Sequence, residues 1–168
     1  AGSLTRCILV DNTALNVGGG LAVSAAAELR LEACRAIGNA AGVTGGGIWL
    51  GAGRLDLRDC VLARNAGGLG GGAVASGAAR VEMLGCTLAE NLADRGGAAL
   101  YLHEGALAAR RTLVAFNRPA AVAGEPTIPP LVQQSNVYGH AAGDWTGPLA
   151  PLADRPDNFS ADPLFCER

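Results

Sequence analysis

Four cysteines, Cys7, Cys34, Cys60 and Cys86, recur at intervals of 27, 26 and 26 residues, and Cys166 stands near the end of the chain. Thiols can hold a metal, pair as disulfides or act as nucleophiles. A spacing of 26 lacks the short Cys-x-x-Cys chelate of a zinc site. The carboxylates of Asp56 and Glu82, one interval apart, are the kind of pair a glycoside hydrolase needs. Arg30, Arg54, Arg58 and Arg80 fall around them, however, and a catalytic pair wants no such partners. The glycine triplet of "GGGIWL" (45–50) has no Gly-Lys-Ser/Thr after it, so it is not a phosphate loop. "GGLGGGAVA" (67–75) has Gly72 where a calcium-binding nonapeptide has Asp. No catalytic residue, metal site or cofactor is therefore expected. Three residues remain as ligand-binding candidates: Trp49, Tyr101 and His103. Aromatics make up only 4% of the chain, so a Trp and a Tyr in corresponding outward positions are informative. Set two strands apart, they would form a platform for sugar rings.

What positions them is a repeat. Five residues after each of the four cysteines, and after Thr112, comes an asparagine: Asn12, Asn39, Asn65, Asn91, Asn117. Eleven residues after each cysteine comes glycine (Gly18, Gly45, Gly71, Gly97), and three further on an apolar residue (Leu21, Ile48, Val74, Leu100). Thr112 takes the fifth place in the cysteine column. Within a repeat, "GIWL", "RLDLRD" and "CVLARN" alternate apolar and polar with period two, as half-buried strands do. Three short strands joined by Gly or Asn turns leave no room for a helix. One repeat is then one coil of a solenoid, each strand pairing with its equivalent about 4.8 Å along the axis.

The expected fold is all-β: a right-handed parallel β-helix of about five coils of 26 residues over 1–118, with an irregular, loop-rich cap over 119–168 in the same domain. Stacking predicts columns of like residues, including a ladder of asparagine amides. It predicts glycine columns that supply positive φ at corners. It predicts opposite charges side by side at Glu28–Arg54, Arg30–Asp56 and Glu32–Arg58, and a buried column of free thiols. All eight prolines follow Arg118. Proline cannot donate to a ladder, so the period is expected to end after Asn117. The apolar residues Val137, Tyr138, Trp145, Phe159, Leu164 and Phe165 would then cover the end of the core.

Composition bounds the rest. The net charge is −2 and every basic residue is arginine, which argues against a nucleic-acid surface. No apolar run approaches the length of a membrane-spanning helix, and any export signal would lie outside this sequence. The first coil begins abruptly at "LTRCILVDN", so self-association or additional coils are expected at the N-terminal end.

"GGGIWL…LDLRDCVLARN" and "GGAV…VEMLGCTLAEN" resemble the repeats of right-handed parallel, pectate-lyase-like β-helices. They are most similar to those of the polymorphic outer-membrane-protein type, with GGA-I and F-x-x-N signatures. Here the first reads Gly71-Gly72-Ala73-Val74, and the second carries Leu62 and Leu88 in place of Phe. The tail "SNVYGHAAGDW…DNFSADPLFC" resembles the closing segment of bacterial secreted β-helix proteins. The resemblance implies the fold more than an activity. With the arginines around Asp56 and Glu82 and the outward Trp49 and Tyr101, the expected function is a non-catalytic secreted or cell-surface segment with a structural, adhesive or glycan-binding role and a polysaccharide as partner. A first alternative is a carbohydrate-active enzyme, a lyase or hydrolase, using the outer strand face. A second is a leucine-rich-repeat interaction module, since "LDLRDCVL" fits that repeat's strand; it requires a helix in each repeat.

Overall fold

The computed structural model describes residues 1–165; Cys166 lies outside them. Coil 1 holds β1 (Gly2–Thr5), β2 (Ile8–Val10) and β3 (Thr13–Ala14), and coil 2 holds β4 (Leu21–Glu32), β5 (Arg35–Ile37) and β6 (Ala40–Ala41). Coil 3 holds β7 (Ile48–Arg58), β8 (Val61–Ala63) and β9 (Ala66–Gly67), and coil 4 holds β10 (Val74–Leu84) and β11 (Thr87–Ala89). β12 (Leu92–Arg110) closes coil 4 and opens coil 5, followed by β13 (Leu113–Ala115). β14 (Arg118–Gly124), β15 (Leu131–Gln133), β16 (Asn136–Tyr138) and a 3-10 turn (Gly147–Leu152) follow. Among the described residues the strands pair in parallel, each with its equivalent in the neighbouring coil. The result is a parallel β-solenoid of about five turns spaced about 26 residues apart. Two of the expected strands per repeat are fused into one long bent strand. Among the described residues the 3-10 turn is the only helical element, which removes the leucine-rich-repeat alternative.

The core is the stack of inward columns. Leu29–Leu55–Val81–Leu107 and Leu31–Leu57–Met83–Ala109 sit in register, and their members in coils 3 and 4 are fully buried. Each buried Leu or Val side chain contributes about 1.5–3 kcal/mol.

Each coil turns at two corners where a single residue adopts a left-handed backbone. One series is Arg6, Ala33, Asp59, Gly85, Arg111, Gln134; the other is Asp11, Gly38, Arg64, Glu90, Phe116, Gly139. A left-handed residue turns the N–H of the next residue inward, where no backbone carbonyl can meet it. The next residue is the Cys/Thr position at the first corner and the Asn position at the second. In the Asn column the next coil's carboxamide solves the problem. Asn39 Oδ1 accepts from both the N–H (3.1 Å) and Nδ2 (2.8 Å) of Asn12. Asn65 does the same for Asn39, Asn91 for Asn65, and Asn117 for Asn91.

One expectation gains detail and two need correction. The 26-residue period ends after Asn117, but the corner pattern goes on: Thr112 N–H donates to Ser135 Oγ and Ser135 N–H to Asn158 Oδ1, with a shorter step of 23 residues. The extra strands β14 and β15 pair with β12, and β16 with β13. Pro119 does not prevent this because β14 joins β12 irregularly, with register shifts on either side of Gly97. Gly18, Gly45 and Gly71 do take positive φ, but in coil 4 the role passes to Gly96 rather than Gly97. Finally, opposite charges sit in register as expected, yet the ion pairs form elsewhere. Arg30 meets Glu32 (2.9 Å) and Arg58 meets Asp56 (3.2 Å) within a strand, while Glu82 accepts from Arg54 on the diagonal (2.6 Å) and from Arg80. Residues i and i+2 share a face, and the long guanidinium reaches along its own strand.

Replacing Asn91 by Leu removes the acceptor of Asn65 and leaves its inward N–H unpaired. An equilibrium denaturation series should show a loss of about 1–3 kcal/mol, against a much smaller loss for Asn12→Leu at the exposed end. Equal, negligible losses at both positions would refute the ladder's role.

Candidate functional site

Trp49, Ala75 and Tyr101 occupy one row across β7, β10 and β12. Alternation points all three outward, opposite to the buried Ile48, Leu50, Val74, Leu100 and Leu102. Trp49 and Tyr101 are half-buried and Ala75 between them is only 2% exposed. The rings diverge. The indole runs along its own strand over Gly51, where an added Cβ would stand 3.0 Å from Trp49 Cη2. The phenol ring leans the other way, onto the glycine corner: a Cβ at Gly70 would meet Tyr101 Cδ2 at 2.8 Å. Only glycine there leaves room for the ring.

His103 is exposed two residues beyond Tyr101 on the same face. Ser76 pairs with Leu50 and Leu102, and Ala78 with Ala52 and Glu104, so Gly77 lies between Gly51 and His103. The three expected residues therefore lie on one outer face, Trp49 on β7 and Tyr101 with His103 on β12, two strand spacings or about 10 Å apart, with Ala75 and Gly77 between them in register. They do not form one continuous flat platform, because Ala75 separates rings that point apart.

Beyond the bend, an open hollow of about 340 Å³ is lined by Arg80 and Glu104, with Gly53, Ala106, Thr127 and Ile128 among its walls. Next to Ala75 in β10, Ser76 points inward, 2% exposed, and its hydroxyl has no partner among the described residues. An orphan buried hydroxyl costs about 1–3 kcal/mol. The sequence signal for it was a Ser in the Leu50–Leu102 column.

The glycosidase-like pair is present in register, Asp56 beside Glu82, but each carboxylate is engaged by arginine. No cluster of three or more metal-ligating residues occurs among the described residues. No described helix is long and apolar enough to cross a membrane.

The thiol column is buried from Cys34 to Cys86, with Cys7 half-buried, and all four are free. The thiols donate to carbonyls, Cys60 to Arg58 (3.2 Å) and Leu31 (3.5 Å), and Cys86 to Leu57 (3.4 Å). Burial pushes the Cys34 thiol up. The neighbouring Cys60 thiol, and then burial, push Cys86 up.

Two features went unread in the sequence. One is the pair of left-handed corners, mostly filled by residues other than glycine. The other is His140, which occupies the asparagine position of the last turn, 23 residues after Asn117. No family model, curated protein or solved structure matches the chain.

Cys34 and Cys86 should resist alkylation in the folded protein and react at once in denaturant. The Cys34 thiol is raised, so the stability it contributes is full below the unfolded thiol value of about 8.5 and is lost as pH rises beyond it. Mass spectrometry of pulse-alkylated protein checks the first statement, and the difference between wild type and Cys34→Ala in urea melts from pH 7 to 10 checks the second. Rapid native labelling of Cys34 would contradict both.

Proposed function

We propose that this chain is a non-catalytic segment of a secreted or cell-surface β-helix protein of the polymorphic outer-membrane-protein type, and that it binds a polysaccharide on the outer face of its long strands. The observation that carries this reading is the grouping of Trp49, Tyr101 and His103 on one outer face, with only Ala75 and Gly77 between them in register. Both rings lie against glycines, Trp49 over Gly51 and Tyr101 over Gly70, and their half-exposed faces are surfaces on which a sugar ring can stack. Arg80 and Glu104 at the neighbouring hollow offer hydrogen bonds to hydroxyls or acidic groups further along the glycan. The pairing of Asp56 and Glu82 with arginines supports a structural role for that charged patch over the lyase or hydrolase alternative.

Self-association through the N-terminal end belongs to the same reading. There β1, β2 and β3 are the terminal strands of both sheets, and Ile8 and Val10 are exposed. Edges of this kind template pairing. Strictly monomeric light scattering at high concentration would exclude it.

A glycan array followed by calorimetry tests the main proposal. Trp49→Ala should weaken binding about tenfold, equivalent to about 1.4 kcal/mol, with Tyr101→Ala similar and His103→Ala smaller. The reading fails if no glycan binds, or if binding is indifferent to both aromatic substitutions.

A further inference from the structure

The asparagine ladder must stop somewhere, and the way it stops is chemically unlike its interior. Asn117 Nδ2 donates to the carbonyls of Leu88 (2.9 Å) and Ala115 (3.0 Å) and faces His140 Nε2 at 3.3 Å. His140 therefore stands beside the amide where the next asparagine oxygen would be. Its own N–H donates to Asp144 Oδ1 (3.0 Å), and its Nδ1 lies 3.2 Å from the same oxygen. The His140–Asp144 step repeats the ladder's rule, one acceptor taking both the backbone N–H and the side-chain donor of the member before it, whereas the Asn117–His140 step keeps the side-chain contact alone. The order is Asn117 to His140 to Asp144, with a titratable ring as the second-last rung. The imidazole is 0% exposed.

These partners define the tautomer. Nδ1 carries the proton given to Asp144, and Nε2 is the bare acceptor for Asn117. Adding a proton to Nε2 sets N–H against N–H at 3.3 Å and places a cation in a site closed to water. The charged groups nearby are few. Asp144 is on His140's own turn, and Glu90 and Arg118 line the adjoining hollow beside Gly139. β13, β16 and the 3-10 turn carry no charged residue, and β14 contributes only Arg118.

We propose that His140 is an acid-sensitive latch that holds the C-terminal turn on the solenoid: neutral, it accepts the last ladder bond, and protonated, it releases the turn around residues 139–147. Coils 2 to 5 have asparagine at every equivalent position and no group that titrates there, so release is confined to the end. Burial, partly offset by Asp144, holds the imidazole below its ordinary value of 6.5. The sign follows: the contribution of the neutral ring is present above the unfolded value and is lost as pH falls through the folded one.

Hydrogen exchange of the full chain, read by mass spectrometry between pH 7.5 and 4.5 and corrected for intrinsic rates, tests the latch. Expected is a drop in protection of at least tenfold in peptides covering 137–147, with coils 3 and 4 unchanged. His140→Asn extends the ladder with a rung that cannot titrate and should abolish the step; His140→Gln serves the same purpose if the first variant folds poorly. Asp144→Asn should move the midpoint to lower pH, because the carboxylate favours the protonated ring. Imidazole ¹⁵N shifts at pH 7.5 should report a proton on Nδ1 and none on Nε2. An acid step of equal size in wild type and in both His140 variants, or constant protection to pH 4.5, overturns the proposal.

Discussion

The structure depends on a problem posed by its own corners. A coil can close only if the chain turns sharply, and here it does so through single left-handed residues. Each such residue turns the following N–H toward the interior, away from the carbonyls that pair along the sheet. An unpaired buried N–H is too costly to leave in every coil. The side chain one coil further on must therefore present an acceptor at that point. Asparagine does this best, because its oxygen takes the inward N–H while its amide donates to the next rung. The requirement acts between coils rather than within one, so it also fixes their register: a slip of one residue would strand every rung at once.

The same logic explains how much of the fold was legible. Stacking forces equal positions into equal environments, so the Asn column, the thiol column and the Leu columns were all readable from spacing alone. The corners were not, because a left-handed residue leaves no uniform signature: Arg64, Glu90 and Phe116 share one backbone conformation with Gly38. Their identities answer to neighbours instead. Gly38 is bare where Asp11 packs against it, and Gly139 where the Phe116 ring lies. The last turn was hidden for a related reason. Its step shortens to 23 residues, and Ser135 and Asn158 accept the inward N–H in place of the expected Cys, while His140 stands in the place of the expected Asn and meets only the side-chain amide of Asn117. Function survived the substitution of residue type; the spacing pattern did not. Of the candidate site, the positions of Trp49, Tyr101 and His103 on one face followed from alternation. The direction of each ring depends on which neighbouring glycines leave space.

The two outer faces differ in kind. The long strands carry Arg30, Glu32, Arg54, Asp56, Arg58, Arg80 and Glu82 on their second limb, and these charges pair along strands (Arg30–Glu32, Arg58–Asp56, Arg80–Glu82) and across them (Arg54–Glu82). The second sheet presents Ile37, Val61, Ala63, Ala89, Leu113 and Ala115 outward instead. Part of that apolar face is covered by the chain itself. Phe165 packs on Phe116, with ring centroids 6.0 Å apart, and lines a hollow with Val61, Thr87 and Ala89. Ala89 and Ala115 are buried as a result, although they point away from the core. The tail thus closes more than the end of the solenoid.

A periodic fold gives specific meaning to its exceptions. Where every coil repeats the same residue, that residue answers to stacking, and its presence says little about activity. Departures answer to something else. Trp49 and Tyr101 break a column otherwise filled by Ala22 and Ala75, and they set two half-buried rings on one outer face with Ala75 between them in register. Ser76 breaks the Leu50–Leu102 column beneath that row at a cost in stability. His140 breaks the asparagine ladder at the point where the ladder has no further coil to bond. In each case the neighbours in register show what stacking alone would have placed there, so the solenoid supplies its own reference state. The positions that depart from it at a physical cost are the ones at which a role beyond folding is to be sought.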